Sequence, residues 1–108
     1  MKQPRISEKE ITFAIRSLLN VYGIWHWKHF GGPMGAKGVS DILGCYKGRF
    51  LAIEVKTPGG RTSPEQERFL ANVNDAGGIA FVAHSIYDVI EKLELKKGSY
   101  KEYQEGKG

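Results

Sequence analysis

The chain has 108 residues and a mass of 12.1 kDa, which is the size of a single compact domain and argues against two independent hydrophobic cores. Hydrophobic residues make up 41% and aromatic residues 11% of the sequence, a composition that excludes disorder over most of the length. Sixteen Lys and Arg against twelve Asp and Glu give a formal net charge of +4, which mildly favours a polyanionic partner.

The cysteine count and the hydropathy pattern exclude further classes of protein. A single cysteine, Cys45, cannot form an internal disulfide framework or a multi-cysteine zinc site. The N-terminus, MKQPRISEKE, lacks the apolar segment of a signal peptide. No stretch reaches the ~18 apolar residues needed to cross a bilayer, so we expect a soluble, cytoplasmic protein that does not bind membranes.

The first predicted element is a helix that begins after Ser7. Ser7 and Glu10 have the spacing of a capping box, in which each of the two side chains binds a backbone amide of the first helical turn. Gly23 supplies the left-handed conformation at which many helices end. Between these residues, apolar side chains recur at helical spacing: Ile11, Ala14, Ile15, Leu18, Leu19 and Tyr22.

A strand and a glycine-rich loop follow the first helix. Residues Ile24–His29 are rich in β-forming side chains and are predicted as a strand. Trp25 and Trp27 lie in this strand, and we expect them to face opposite sides of it, one in the core and the other free to contact a ligand. Residues 30–38 contain four glycines and one proline, a composition typical of a loop.

Two strand-like runs, Val39–Tyr46 and Phe50–Lys56, come next. Only three residues separate them, which predicts a tight hairpin. A two-residue turn at Lys47-Gly48 would pair the residues on either side of it, Tyr46 and Arg49. This register also decides which side chains of the two strands lie opposite each other.

The next part of the chain predicts a helix and a further strand. Ser63, Pro64 at the first helical position and Gln66 are typical of a helix start, and this helix should end near Gly77-Gly78. Residues Ile79–Ala83 are all apolar, as in a strand that is covered on both faces. Such a strand can join the sheet in parallel through a right-handed crossover.

A last helix is predicted from about Ser85 to Leu95. The element order is therefore α-β-β-β-α-β-α, which predicts an α/β fold with a small mixed sheet flanked by helices. We assign residues 1–95 to one domain. The final segment, residues 96–108, is rich in lysine and glycine, and we expect it to be a flexible, basic tail.

Two carboxylates carry most of the chemical information in the sequence. In the hairpin register described above, Asp41 lies directly opposite Glu54, and Lys56 projects from the same face as Glu54. Opposed carboxylates destabilise a sheet by roughly 0.2–1 kcal/mol, and by more when they are desolvated. Lys56 supplies only one positive charge, and a divalent cation would neutralise the remaining negative charge of the two carboxylates. Ligation by oxygen atoms alone is typical of Mg²⁺ or Mn²⁺.

A plainer interpretation of these residues remains open at this point. Asp41 can be a residue that begins a strand, and Glu54 and Lys56 can form a surface ion pair on an edge strand. Spacing alone leaves the two interpretations about equal in weight. The apolar residues of both strands and the glycine-rich loop before Asp41 favour the metal site.

The order of these residues resembles the PD-(D/E)XK nuclease superfamily, in which an aspartate is followed after a hairpin by an E-x-K motif, here Asp41 and Glu54-Val55-Lys56. The chain from Glu10 to Ala83 resembles the VRR-NUC branch of this superfamily, in the small stand-alone form found in phages and bacteria. In that branch a glycine-rich loop precedes the aspartate, and a helix with a glutamine, here Gln66, follows the E-x-K strand. Ser40 stands where the wider superfamily often has proline, a departure that its branches tolerate.

The resemblance implies a restriction-endonuclease-like core and a Mg²⁺- or Mn²⁺-dependent endonuclease that hydrolyses DNA phosphodiester bonds without a covalent intermediate. It implies that Asp41 and Glu54 hold the metal, with the Val55 carbonyl as an extra ligand. Lys56 would assist the attacking water or the phosphate, and Gln66 would help to position them. The implied substrate is branched DNA, such as a Holliday junction, and the implied assembly is a homodimer or higher homo-oligomer.

Two accessory residues can be interpreted either as part of the site or as helix caps. By the resemblance, Glu10 would assist metal binding, but Glu10 also completes the capping box of the first helix. Gln66 has the same position in the second helix, where its place in the family motif and at a helix N-terminus favours contact with phosphate or water. Both alternatives stay open.

Four residues are candidates for contacts with DNA: Lys37, Ser40, Arg49 and Arg61. Lys37 lies in the glycine-rich loop just before Asp41, where close contact with a phosphate backbone is expected. For exposed arginines, solvation without a partner is the commoner outcome. The alternative function is a non-catalytic DNA-binding or accessory module that retains the nuclease fold, although a pure binder would gain affinity by losing carboxylates near phosphate.

Overall fold

A computed structural model describes residues 6–32 and 35–95, which form three helices and four strands. In chain order the elements are α1 (Glu8–Val21), β1 (His26–Lys28), β2 (Ile42–Tyr46), β3 (Arg49–Val55), α2 (Pro64–Asp75), β4 (Ile79–Ala83) and α3 (Ile86–Lys92). This is the predicted order. The predicted tail, residues 96–108, lies outside the described residues, as do residues 1–5, Pro33 and Met34. Within the described ranges, none of the helices is long and apolar enough to cross a bilayer.

The four strands form one mixed sheet in the order β1-β2-β3-β4. β1 pairs with β2 and β2 with β3 in antiparallel fashion, whereas β4 pairs with β3 in parallel. A parallel pair needs a crossover connection, and here the crossover contains α2. The predicted α/β fold with a small mixed sheet flanked by helices is confirmed.

The β2–β3 hairpin turns at Lys47-Gly48, as predicted. Both turn residues have positive φ, 50° and 79°, as a type I′ turn requires, and this turn matches the twist of the flanking strands. Tyr46 therefore pairs with Arg49, and the pairing continues to Ile42 and Ile53.

The first two strands begin later than the sequence pattern predicts, β1 at His26 and β2 at Ile42. β1 begins only at His26 because the amide of Ile24 still donates a hydrogen bond to the Leu19 carbonyl at the end of α1. Trp25 and Trp27 lie on the same side of the sheet, with ring centroids 5.0 Å apart. The expectation that they face opposite sides is wrong, because residues two apart in an extended chain project from the same face.

The two faces of the sheet bury different sets of residues. The helices α1 and α3 cover one face, where the larger core includes Ile11, Ile15, Leu19, Ile42, Leu51, Ile53, Phe81 and Val89. Helix α2 covers the other face, where the smaller core contains Leu43, Ala52, Leu70 and Ala80. Because side chains alternate along a strand, Glu54 shares the α2 face with Ala52.

Two capping boxes begin α1 and α2, as predicted. Ser7 Oγ accepts a hydrogen bond from the Glu10 amide at 3.1 Å, and Glu10 Oε1 accepts one from the Ser7 amide at 3.2 Å. Ser63 and Gln66 form the same reciprocal pair at the start of α2, at 3.1 and 2.8 Å. The second box places Gln66 over the face of the sheet that carries Glu54.

Candidate active site

Asp41 and Glu54 come together at the end of the β2–β3 hairpin that lies away from its turn. The strand pairing ends at Ile42 and Ile53, so Asp41, one residue earlier, stands across from Glu54. Asp41 Oδ2 accepts a hydrogen bond from the backbone amide of Val55 at 2.8 Å. We call Asp41 and Glu54 the acidic pair.

Glu54 is a buried carboxylate with one unpaired oxygen. Its side chain is 2% exposed, and its Oε2 accepts a hydrogen bond from Gln66 Nε2 at 3.1 Å and lies 3.4 Å from Lys56 Nζ. Its Oε1 is also buried but has no hydrogen-bond partner. Because an unpaired buried carboxylate oxygen is costly, this atom is an open ligand position.

Burial, and after it the neighbouring charge of Asp41, raises the pKa of Glu54 from 4.5 to about 8. A side-chain hydrogen bond with Asp41, which needs the proton on Glu54, raises this pKa further, and Lys56 lowers it without cancelling these three effects. The Glu54 carboxyl therefore keeps its proton at neutral pH unless a further positive charge enters the site. A divalent cation is such a charge, and its binding would release the proton.

Lys56 and Gln66 contact the buried carboxylate from two different elements. Lys56 directly follows β3, and its side chain is 14% exposed. Gln66, in the first turn of α2, accepts the Ser63 amide with its Oε1 and donates to Glu54 with its Nε2. The helix cap and the contact with the acidic pair, which the sequence left as alternatives for Gln66, are therefore both present.

Lys28 belongs to the site although no motif of the sequence includes it. Its Nζ lies 3.8 Å from Asp41 Oδ1 and donates a hydrogen bond to the His29 carbonyl at 2.9 Å. The His29 amide in turn donates to the Asp41 carbonyl at 2.8 Å, which keeps the end of β1 beside Asp41. Only the β1–β2 register, which pairs Lys28 with Ile42, could have indicated this contact.

The glycine-rich loop packs against α2 at Gly38. The φ of Gly38 is +83°, and a Cβ at this position would lie 2.3 Å from the Glu65 carbonyl oxygen, so only glycine fits there. Lys37, the preceding residue, is exposed and lines the same groove as Lys28 and Asp41. The structure therefore brings Lys37 to the side of the acidic pair.

Glu10 does not join the acidic pair. Its carboxylate is held in the capping box by the amide and the hydroxyl of Ser7, at 3.2 and 3.1 Å. Across residues 6–32 and 35–95, no group of three or more His, Cys, Asp or Glu side chains is placed to hold a metal. Of the two interpretations of Glu10, the geometry supports helix capping.

The other three predicted DNA contacts lie in different surroundings. Arg49 donates to two carbonyl groups of the α2–β4 loop at 2.9 and 3.1 Å, at the end of β3 that is about 17 Å from Glu54. Ser40 is fully buried, and its Oγ has no hydrogen-bond partner. Its side chain therefore has no surface with which to contact DNA. Arg61 is exposed on the loop between β3 and α2. Ser40 is thus withdrawn from the surface, whereas Arg49 is exposed with its guanidinium already bonded to the α2–β4 loop.

The donor set of the acidic pair fits a hard divalent cation. Asp41 and Glu54 offer carboxylate oxygens, and Glu54 Oε1 has no other partner. Val55, whose carbonyl is the predicted extra ligand, closes β3 at the same end. Two carboxylates are typical of sites where water and a substrate phosphate complete the oxygen shell of Mg²⁺ or a similar ion.

Comparison with known proteins identifies a similar domain family. Residues 27–86 match the family model described as the VRR-NUC domain, a range that contains the acidic pair, Lys28, Lys56 and Gln66. A solved structure described as a VRR_NUC domain protein is similar with a TM-score of 0.70 and 16% sequence identity, over 89% of this chain and 92% of that one. At this identity the likeness is one of fold. Among curated proteins, no sequence matches the chain.

Proposed function

Because the chain belongs to the VRR-NUC domain family, we propose that it is a divalent-metal-dependent endonuclease that hydrolyses DNA phosphodiester bonds. Membership in this family indicates a nuclease-type domain, for which DNA is the implied substrate. The observation that carries the finer proposal is Glu54 Oε1, a buried oxygen without a partner beside a second carboxylate. In a protein that only bound DNA, burying this carboxyl group without a partner for its Oε1 would cost stability and serve no purpose.

In this proposal, Asp41 and Glu54 hold Mg²⁺ or Mn²⁺. When bound, such an ion polarises the scissile phosphate, favours ionisation of the attacking water and neutralises charge on the leaving oxygen. The Val55 amide orients Asp41 through its Oδ2, and Gln66 orients Glu54 through its Oε2. Each carboxylate is thus oriented through one oxygen. The other oxygen of Glu54 has no partner, and the other oxygen of Asp41 faces only the Lys28 ammonium at 3.8 Å, so the proposal assigns both to the cation.

Lys56 is the residue that we assign to the attacking water or to the developing negative charge. Its ammonium lies 3.4 Å from Glu54 and is largely buried, so its position is set before substrate binds. It is not a metal ligand, because an ammonium group has no lone pair. Lys28 and Lys37 line the groove at Asp41 and add positive charge where the proposal places the DNA backbone.

We infer branched DNA, such as a Holliday junction, as the preferred substrate, and a homodimer or higher homo-oligomer as the active assembly. Each chain contributes one acidic pair, and one pair cuts one strand. Cutting a two-fold symmetric substrate needs two pairs in a fixed relation, which a homodimer provides. Light scattering at micromolar concentration tests the assembly. A monomer that cuts linear duplex as readily as a junction contradicts this part and leaves the catalytic part intact.

Cleavage assays on a panel of DNA substrates test the proposed activity. Linear duplex, flap, nicked and four-way-junction DNA are each incubated with the protein and Mg²⁺, Mn²⁺ or EDTA. We expect metal-dependent cleavage that is fastest on the junction, and no cleavage with EDTA or with the Asp41→Asn variant. Binding of these substrates without metal-dependent cleavage of any of them would instead indicate a non-catalytic DNA-binding module.

A further inference from the structure

Trp25 and Trp27 form an exposed aromatic surface beside the edge strand β1. Trp25 is 66% exposed and Trp27 is 38% exposed. Their ring centroids are 5.0 Å apart, and the ring planes are tilted by 54°. Tryptophan is highly buried on average in folded proteins, so two adjacent exposed rings indicate a surface that contacts a partner.

The tryptophan pair lies on the same face of the sheet as Glu54. Trp27 is paired with Leu43 on β2, and Leu43 is paired with Ala52 on β3. Residues paired across strands share a face, and Glu54, two residues beyond Ala52, shares it as well. Helix α2 contacts β3 and β4 and leaves the two tryptophans at the open side of this face.

The distance between the tryptophan pair and the acidic pair suits a few nucleotides of one strand. β1 and β3 are two strands apart, which is about 10 Å, and Trp27 stands about 7 Å from Glu54 along the strand direction. The resulting separation of roughly 12 Å corresponds to three or four base steps at ~3.4 Å each. Lys28, next to Trp27 in sequence, has its ammonium 3.8 Å from Asp41 Oδ1, so a positive charge lies at the acidic pair itself.

We propose that Trp25 and Trp27 are a stacking platform for unpaired bases of the DNA strand whose phosphate lies at the acidic pair. Aromatic side chains stack on the faces of bases, which a strand exposes where a duplex ends, frays or branches. The cations Lys28 and Lys37, which line the groove at Asp41, favour a nucleic acid over an apolar peptide or a second copy of the chain. The inference rests on the proposed nuclease function and adds unpaired bases next to the cleavage position as a substrate requirement.

Tryptophan fluorescence tests the platform directly, because Trp25 and Trp27 are the two tryptophans of the whole chain. The full-length protein in EDTA is titrated with a short single-stranded oligothymidylate and with a blunt duplex of the same length. We expect the single strand to quench the fluorescence in a saturable manner and the duplex to quench it much less. An equal response to both, or no response to the single strand, overturns the proposal.

Substitutions separate stacking from charge. Trp25→Ala and Trp27→Ala should each weaken single-strand binding about fivefold to a hundredfold, measured by the anisotropy of a labelled oligothymidylate. The salt dependence of binding should not change, because no phosphate contact is lost, and Trp27→Phe should retain most of the affinity. Tyr87→Ala, which removes an exposed aromatic side chain of α3, is the matched control and should bind like the wild type.

Cleavage assays on the same variants distinguish a failure of the stacking platform from a failure of the proposed nuclease function. If the wild type cuts DNA with a metal and both tryptophan variants bind and cut as well as it does, the platform is wrong and the nuclease function stands. If single strands bind through the tryptophans but no DNA is cut, the nuclease function fails and the platform stands. If the substitutions dissociate a DNA-free oligomer without changing single-strand affinity, the surface joins copies of the chain and the proposal is overturned.

Discussion

Gln66 connects the start of α2 to the buried carboxylate of Glu54: its Oε1 accepts the Ser63 amide at 2.8 Å, and its Nε2 donates to Glu54 Oε2 at 3.1 Å. The hydrogen bond that caps the helix therefore also orients the amide that holds the carboxylate. Ser63 takes part in the same cap, and its side chain accepts the Gln66 amide at 3.1 Å. Variants of these two residues can therefore separate the stability of the helix from the chemistry of the site.

Gln66→Ala should lower both stability and cleavage, whereas Ser63→Ala should lower stability alone. Each variant loses one half of the cap, at a cost of about 0.5–2 kcal/mol in the free energy of unfolding. Only Gln66→Ala also releases Glu54, so its metal affinity or cleavage rate should fall about 10- to 100-fold. Urea denaturation and cleavage under saturating Mn²⁺ measure the two effects. Equal losses of cleavage in both variants would assign Gln66 to the helix cap alone.

Asp41→Asn and Glu54→Gln should each abolish metal-dependent cleavage while DNA binding stays intact or becomes tighter. Each substitution removes a carboxylate ligand that the proposal assigns to the cation. Asp41→Asn also removes a charge that repels phosphate, whereas Glu54, with its pKa raised to about 8, is already protonated in the metal-free protein. Calorimetric titration with Mn²⁺ measures metal binding, and anisotropy measures DNA binding. Glu91→Gln, which removes an exposed carboxylate on α3, is the control. Turnover close to that of the wild type at saturating metal, in either site variant, would refute the assignment of the acidic pair.

The metal-free protein should lose stability as the pH rises from about 4.5 to about 8. Burial raises the pKa of Glu54 to about 8 in the folded chain, against 4.5 as its ordinary value, so between these values the unfolded chain has released a proton that the folded chain retains. The contribution of the protonated Glu54 to the free energy of unfolding is fully present below pH 4.5, and it is lost as the pH rises through the folded-state pKa of about 8. Thermal denaturation in EDTA measures this dependence. Glu54→Gln should remove most of it, and an identical pH profile in the variant would contradict the prediction.

Lys56→Ala should lose most of the cleavage activity but far less metal affinity than Asp41→Ala. The ammonium is not a ligand: it favours the cation by lowering the pKa of Glu54 and opposes it by direct charge repulsion. The metal affinity of Lys56→Ala should therefore approach that of the wild type at a pH above the pKa of Glu54. Lys92→Ala, an exposed position on α3, is the control. Equal loss of metal binding in Lys56→Ala and Asp41→Ala at high pH would make Lys56 a structural partner of the carboxylates.

Gly38→Ala should destabilise the fold, whereas Gly31→Ala should not. The methyl group at position 38 would lie 2.3 Å from the Glu65 carbonyl oxygen on a backbone with φ of +83°, which should cost more than about 1 kcal/mol in the free energy of unfolding. A Cβ at Gly31 meets nothing within 4 Å. Urea denaturation compares the two variants. The same midpoint in both would mean that the glycine-rich loop does not depend on its contact with α2.

Features that depend on residues close together in the chain were predictable. The turn at Lys47-Gly48 sets the hairpin register through the conformations of two residues, and that register places Asp41 across from Glu54. The capping boxes act over three residues, so Gln66 could be assigned to the start of α2. The sequence by itself therefore determined the element order, the acidic pair and the helix position of its amide partner, because each follows from local backbone geometry.

Burial and long-range pairing were decided by the tertiary structure. Lys28 reaches Asp41 only because β1 pairs with β2, and the exposed guanidinium of Arg49 is held because the α2–β4 loop presents two carbonyl groups to it. The raised pKa of Glu54 has the same origin, since the packed fold removes this carboxyl from water while Asp41 lies beside it. No short sequence pattern encodes which helix covers which strand, because that choice depends on the sum of many weak contacts between residues far apart in the chain.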